Sequence, residues 1–164
     1  MYYYFDDKAD LYATVFRKVE RQVDQALRLL DDVATPEEFW KELERVVERL
    51  ISFAIANPLI TGLIRSAWKL RFEGNEQVLS ELMAFTHSWT ANLLRLGQRA
   101  GAVRTDLPFD YLVMLVQALD DAGDRWIMEN TEIGYEALAG YGRQSIGILW
   151  RLLSPDLPTS WQKA

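Results

Sequence analysis

His87 is the single histidine of the chain, and cysteine is absent. Those two counts remove most side-chain chemistry at once. Thiol catalysis, disulfides and thiolate metal sites all need cysteine, and a histidine metal cluster needs more than one imidazole. A Ser-His-Asp arrangement would have to be assembled across helices around His87, without the sharp turn that normally presents the serine. The sequence therefore predicts a protein that is not an enzyme, with no metal and no cofactor. His87 falls in Phe85-Thr86-His87-Ser88-Trp89-Thr90, a polar patch open to two readings. It is either a hydrogen-bonded helix surface, or Thr86, His87 and Thr90 supply the few polar groups of an otherwise apolar pocket.

Recognition of an apolar molecule is the chemistry that these residues do allow. Phe53, Trp68, Phe72, Phe85, Trp89 and Trp126 could line a cavity, although aromatics at helical spacing also make an ordinary core. Asp120, Asp121 and Asp124 interrupt an apolar run and are expensive to bury without partners. They are expected to reach water, or to pair with Arg125 or with an arginine across a dimer. If one of them faced an aromatic cavity, Coulomb attraction and cation-π contact would favour a lipophilic cation there.

The elements that must position these side chains read as helices throughout. Leu11, Val15, Val19, Val23, Leu27 and Leu30 form one stripe at three-to-four spacing. Thr35-Pro36-Glu37-Glu38 supplies an N-cap, a proline in the first turn and an acid three residues after the cap, which starts a second helix with the stripe Phe39, Leu43, Val46, Leu50 and Phe53. Asn57-Pro58 ends it and opens a third helix to about Phe72, with a loop at Glu73-Gly74-Asn75. A fourth helix runs from about Glu76 to Ala100, and Gly101 stands where a left-handed C-terminal cap belongs. The last two are expected at about 108–130 and 135–153. The first of these is apolar nearly all round, which asks for burial on more than one side. The second carries Gly140, Gly142 and Gly147 in its interior, each costing about 1 kcal/mol unless close helix approach offsets it.

With 164 residues and 49% hydrophobic content, one sizeable core is the default. The net charge of −6 argues against a polyanion partner for this segment, because phosphate neutralisation draws on clustered Lys and Arg. No apolar run approaches the roughly eighteen residues of a membrane span, and no basic-then-apolar leader opens the chain. The expectation is a cytoplasmic protein without a membrane partner.

The string Met1-Tyr2-Tyr3-Tyr4-Phe5, followed by Lys8 and Leu11, resembles the junction in tetracycline-repressor (TetR) family regulators. There the DNA-recognition helix closes with a Tyr-rich run and the first ligand-domain helix begins. Gly101-Ala102-Val103-Arg104-Thr105-Asp106 resembles, less specifically, the turn before the penultimate helix of the same family. The resemblance implies an all-α fold of about six helices, the C-terminal ligand-binding and dimerisation domain of that family. Residues 1–7 would be the remnant of the recognition helix and linker, and 8–164 the domain itself. It further implies a homodimer through residues 108–153, the last two helices packing on their mates as a four-helix bundle. A small-molecule effector would bind between the helices at 8–30, 36–57, 58–72, 76–100 and 108–130. The side chains expected around it are Phe53, Trp68, Met83, His87, Trp89, Leu115 and Trp126. Tyr2, Tyr3 and Lys8 match positions that touch DNA, mostly phosphates, which position a protein without specifying sequence. A helix-turn-helix needs two helices, and neither the first nor most of the second lies in this sequence, so DNA is expected to be read only through a segment N-terminal to Met1. The rival reading is an all-helical interaction module or small-molecule carrier with no DNA role, its aromatic N-terminus a mere anchor.

Overall fold

In the computed structural model the described residues are 8–30, 32–63, 66, 80–130 and 135–155. They form six helices and no strand. α1 is Lys8–Leu27, extended by a 3-10 turn at Arg28–Leu30; α2 is Pro36–Ala56; α3 is described over 58–63; α4 is Ser80–Arg99; α5 is Phe109–Glu129; and α6 is Tyr135–Leu153. The expected loop at Glu73-Gly74-Asn75 and the expected start of the fourth helix at Glu76 lie outside the described residues. None of the described helices is long and apolar enough to cross a membrane.

The helix ends follow from local chemistry. Thr35 Oγ1 accepts from the Glu38 amide at 3.2 Å, and Glu38 Oε2 accepts from the Ala34 and Thr35 amides at 3.1 and 3.2 Å. Orphan donors at the start of α2 are thereby satisfied by the capping box that the sequence spelled out. The same hydrogen bonds, that from Ala34 foremost, hold the Glu38 carboxyl below its ordinary range. α2 stops at Asn57, whose side-chain amide donates to Phe53 O at 2.8 Å, and Thr61 Oγ1 donates to Ala54 O at 2.6 Å. Gly101 closes α4 at φ 71°. Its amide donates to Gln98 O and that of Ala102 to Gly97 O, at 3.1 and 2.8 Å, which is the Schellman pattern that a residue with a Cβ adopts only at a cost.

Arg104 and Asp106 then pin the turn into α5. Arg104 Nε and Nη2 donate to the two Asp106 carboxylate oxygens at 2.7 and 2.5 Å, and Gln98 Nε2 donates to Arg104 O. The Arg104 amide donates to Leu153 O at 2.7 Å, so this turn also fixes the C-terminal end of α6. The three residues that carried the weaker resemblance, Gly101, Arg104 and Asp106, thus have structural work in this chain.

The core gathers where α2, α4, α5 and α6 meet. Phe39, Leu43 and Val46 come from α2, Leu93 and Leu94 from α4, Leu112, Val113 and Val116 from α5, and Ile146 and Leu153 from α6; all are buried. α2 packs on α6, α4 on α5, and α1 lies against both α2 and α4. At Gly97 a Cβ would run into Val103 Cγ2 and come within 2.9 Å of Phe39 Cζ. The missing side chain there lets the start of α2 and the turn after α4 close on the same spot.

α5 is buried on one side only. Leu112, Val113 and Val116 are covered, whereas Tyr111 and Met114 stand out at 49% and 64% exposure, with Ala118 and Ala122 along the same exposed stripe. In α6 the glycines divide. A Cβ at Gly142 would come within 2.9 Å of both Val47 Cγ1 and Ile51 Cδ1, while nothing lies within 4 Å of one at Gly140 or Gly147. Gly142 therefore serves the approach of α2 within the chain, and only Gly140 and Gly147 remain open on an outer face.

Candidate functional site

Between α2, α4, α5 and α6 the side chains leave a cavity of about 270 Å³. Leu43, Val47, Leu50 and Ile51 wall it from α2, and Trp89 and Leu93 from α4. Val116, Leu119, Asp120, Gly123, Asp124 and Ile127 come from α5, and Leu138, Tyr141, Gly142, Ser145, Ile146 and Leu149 from α6. Its size is near the lower end of small-molecule sites, about 300–1,000 Å³. The pattern also fits such a site, with broad apolar walls interrupted by a few polar groups.

Each polar group is placed by its helix. Val116, Asp120, Gly123 and Ile127 follow four, three and four residues apart, so one face of α5 carries them all inward. By surface area Asp120 is exposed, yet desolvation of its carboxyl raises the pKa to about 6, and the Asp121 carboxylate pushes the same way. Asp120 lines the cavity and keeps part of its surface accessible, while the protein around it removes enough water to disfavour the charged form. No hydrogen bond or ion pair to Asp120 is formed among the described residues. Asp124, one turn further along, lines the same wall and is partnered.

Beside these acids lies the Tyr141 ring, backed by Trp126. Tyr141 stacks on Trp126 with centroids 5.1 Å apart and planes at 20°, and its hydroxyl sits where a Cβ on Gly123 would be. Glycine at 123 is what lets Tyr141 lie against the α5 backbone, one turn from Asp120. Trp89 contributes from α4, and its indole Nε1 is buried without a hydrogen-bond partner. A buried, unpaired N–H is uncommon and costs roughly 1–3 kcal/mol.

Of the seven side chains expected around an effector, the structure places Trp89 in the cavity wall. Trp126 stands behind the wall as the stacking partner of Tyr141, itself 44% exposed. Phe53 and Leu115 are half-buried on α2 and α5 without lining the cavity, and His87 is exposed on α4. His87 Nδ1 lies 3.4 Å from Gln117 Oε1, longer than an ordinary hydrogen bond. Thr90 is fully buried and donates to Thr86 O at 2.9 Å, so its hydroxyl is spent within its own helix. The polar patch Thr86, His87 and Thr90 is therefore a helix surface and core feature, not a cavity wall. Trp68 lies outside the described residues, as do the side chain of Met83 and, at the N-terminus, Tyr2, Tyr3 and the side chain of Lys8.

The cavity also differs in its walls from the space that the sequence suggested. α6 supplies a full wall, although the sequence reading gave that helix to the dimer alone, and none of the described lining residues comes from α1. Gly123, Tyr141, Gly142 and Ser145 were not expected at the cavity, whereas Asp120 was one of three acids expected to favour a cation if it faced one. A signal for Asp120 was present: it lies four residues after Val116 in an apolar run, hence on the buried face. Choosing Leu115 in place of Val116 turned the helix by one residue, about 100°.

No family model matches the chain, and neither the curated proteins nor the solved structures contain a match to it.

Proposed function

We propose that this chain is the ligand-sensing and dimerisation domain of a TetR-like DNA-binding transcriptional regulator, with a small-molecule effector bound in the four-helix cavity. The observation that carries the reading is the cavity itself: apolar walls from four helices, with two carboxyls, the Tyr141 ring and the Trp89 indole among its lining residues. A packed bundle with no task at its centre would be expected to fill such a volume, since interiors pack like organic crystals.

The proposed mechanism follows from which helices touch. No described residue of α1 lines the cavity, but α1 packs on α2 and α4, and both of these do line it. An occupant that spreads α2 from α4 biases α1 between two packings, and α1 is the helix joined, in this reading, to the DNA-reading segment. Allostery of this kind needs a ligand with different affinity for the two packings, nothing more. The partner is a second copy, docked through residues 108–153. Tyr111, Met114, Trp126, Ile148 and Trp150 are large apolar side chains left exposed on α5 and α6, which favours a partner surface on these two helices.

The experiment is thermal denaturation of the chain across a chemically diverse ligand panel, beside a Ser145→Phe variant whose new ring projects into the cavity. A ligand at a hundred times its Kd adds about 2.7 kcal/mol, which for a chain of this size raises Tm by about 5–10 °C. At least one panel compound is expected to do this to the wild type and not to the filled variant. A panel without any shift, or equal shifts in both proteins, refutes the reading.

A further inference from the structure

We infer that the cavity selects a lipophilic monocation, an aromatic or aliphatic body carrying one quaternary or tertiary ammonium, with Asp120 as its counterion and Tyr141 and Trp89 as the aromatic faces beside it. The inference rests on the cavity being a ligand site, as proposed above, and adds the chemical class of the ligand.

Three observations converge on this class. The walls from α2 and α6 are almost wholly aliphatic or aromatic, so an occupant gains mainly by burying apolar surface. Among the lining residues the only groups that carry charge at neutral pH are two carboxyls, Asp120 and Asp124, both on α5. Among the described residues no Lys, Arg or His lines the cavity to balance them, and α2 and α4 bring no titratable side chain to it; α6 brings only the Tyr141 phenol. Asp124 is already partnered, which leaves Asp120 to meet an occupant. An anionic ligand would face uncompensated repulsion, and a neutral one would leave a carboxylate poorly solvated against its surface. A cation removes that penalty and gains the attraction of the nearby ring faces, which grows as water is excluded. The raised pKa of Asp120 reflects the desolvation that the surrounding protein imposes on the charge, with Asp121 adding to it along the same helix.

A pH dependence with a definite sign follows. With a pKa of about 6, Asp120 is ionised above that value and about one-eleventh ionised at pH 5. A monocation therefore binds about tenfold more weakly at pH 5 than on the plateau above pH 7. A neutral ligand of the same shape does not follow this profile.

The test is isothermal titration calorimetry on the whole chain with benzyltrimethylammonium and with its uncharged carbon isostere, neopentylbenzene, at pH 7.5 and pH 5. The wild type is expected to bind the cation at least tenfold more tightly than the isostere at pH 7.5, and to lose about tenfold of the cation affinity at pH 5. Asp120→Asn is expected to bring the two probes together and to flatten the pH profile. The wild-type pH comparison keeps the test decisive even if that variant folds poorly. Equal binding of both probes, with no pH dependence, overturns the cation assignment while leaving the cavity a ligand site. Binding of neither probe at millimolar concentration overturns the assignment and, with a silent thermal panel, the ligand site as well.

Discussion

The two open glycines of α6 separate a chain that pairs through this helix from one that does not. Within a single chain nothing lies within 4 Å of a Cβ placed at Gly140 or Gly147. Both are in the interior of a helix spanning Tyr135–Leu153, where replacing glycine by alanine gains about 1 kcal/mol per position. A monomer carrying Gly140→Ala and Gly147→Ala would therefore gain about 2 kcal/mol and melt about 4–8 °C higher. In the proposed dimer the same face packs on its mate, and glycine seven residues after glycine permits close approach. Methyl groups inserted there overpack the interface at about 1–3 kcal/mol, which is roughly 5-fold to 150-fold in the dimer Kd. The assay is sedimentation velocity over a concentration series, with thermal melts on the same samples. The account expects the double variant to dissociate at concentrations where the wild type is dimeric. An unchanged association constant together with a higher melting temperature would refute the packing of α6 on its mate. Gly142→Ala is the internal control: its Cβ meets Val47 and Ile51 of the same chain, so it should lower stability whatever the oligomeric state.

Two further outcomes are expected. Thr35→Ala removes the hydroxyl that accepts from the Glu38 amide and should cost about 1 kcal/mol, seen as a melting temperature about 2–4 °C lower; an unchanged melt would mean that the cap adds nothing to the fold. Asp120 should also shape the pH dependence of stability: its folded pKa of about 6 exceeds the ordinary carboxyl value of 3.8, so the folded state binds the extra proton between those values. Its contribution is therefore fully present below about pH 4 and is lost as pH rises through about 6. In Asp120→Asn that decline should disappear from denaturant midpoints measured at half-unit intervals, and an unchanged slope would mean that another group is responsible.

The sequence disclosed the elements far better than the site. Periodic stripes and end signals were enough for α2, because Thr35, Pro36 and Glu38 act on their immediate neighbours and owe nothing to the rest of the chain. Gly101 was legible for the same reason, since a left-handed cap is a local demand. Gly97 was not, although the structure gives it a tighter fit than any glycine of α6: its neighbours Phe39 and Val103 are distant or on the far side of a turn. The site failed on phase and on partnering. Trp89 was found because a large aromatic near the middle of a helix is a good guess at any rotation. Leu115 and Phe53 were missed placements, because a shift of one residue moves a side chain from wall to flank. Tyr141 and Gly123 depend on each other across two helices, and no single stretch of sequence shows that Tyr141 fills the space that a side chain at Gly123 would occupy. α6 was read from its glycines as an interface helix, yet it faces the cavity on one side and open space on the other.

The claim at the centre of this account is that occupancy of the cavity is felt by α1. The chain has no cysteine, so a single substitution, Lys18→Cys on the exposed side of α1, takes one spin label per protomer without background. Pulsed electron-electron resonance on that protein then reads the separation of the two α1 helices in the dimer, without ligand and with a cavity-binding compound at saturation. The account predicts a resolved distance between labels in the free protein and a shift of its maximum by about 2 Å or more on binding, the scale of helix movement in interface switches. It also predicts that Ser145→Phe removes that response. An identical distance distribution with the cavity demonstrably occupied, or no dipolar coupling between protomers at all, would contradict it.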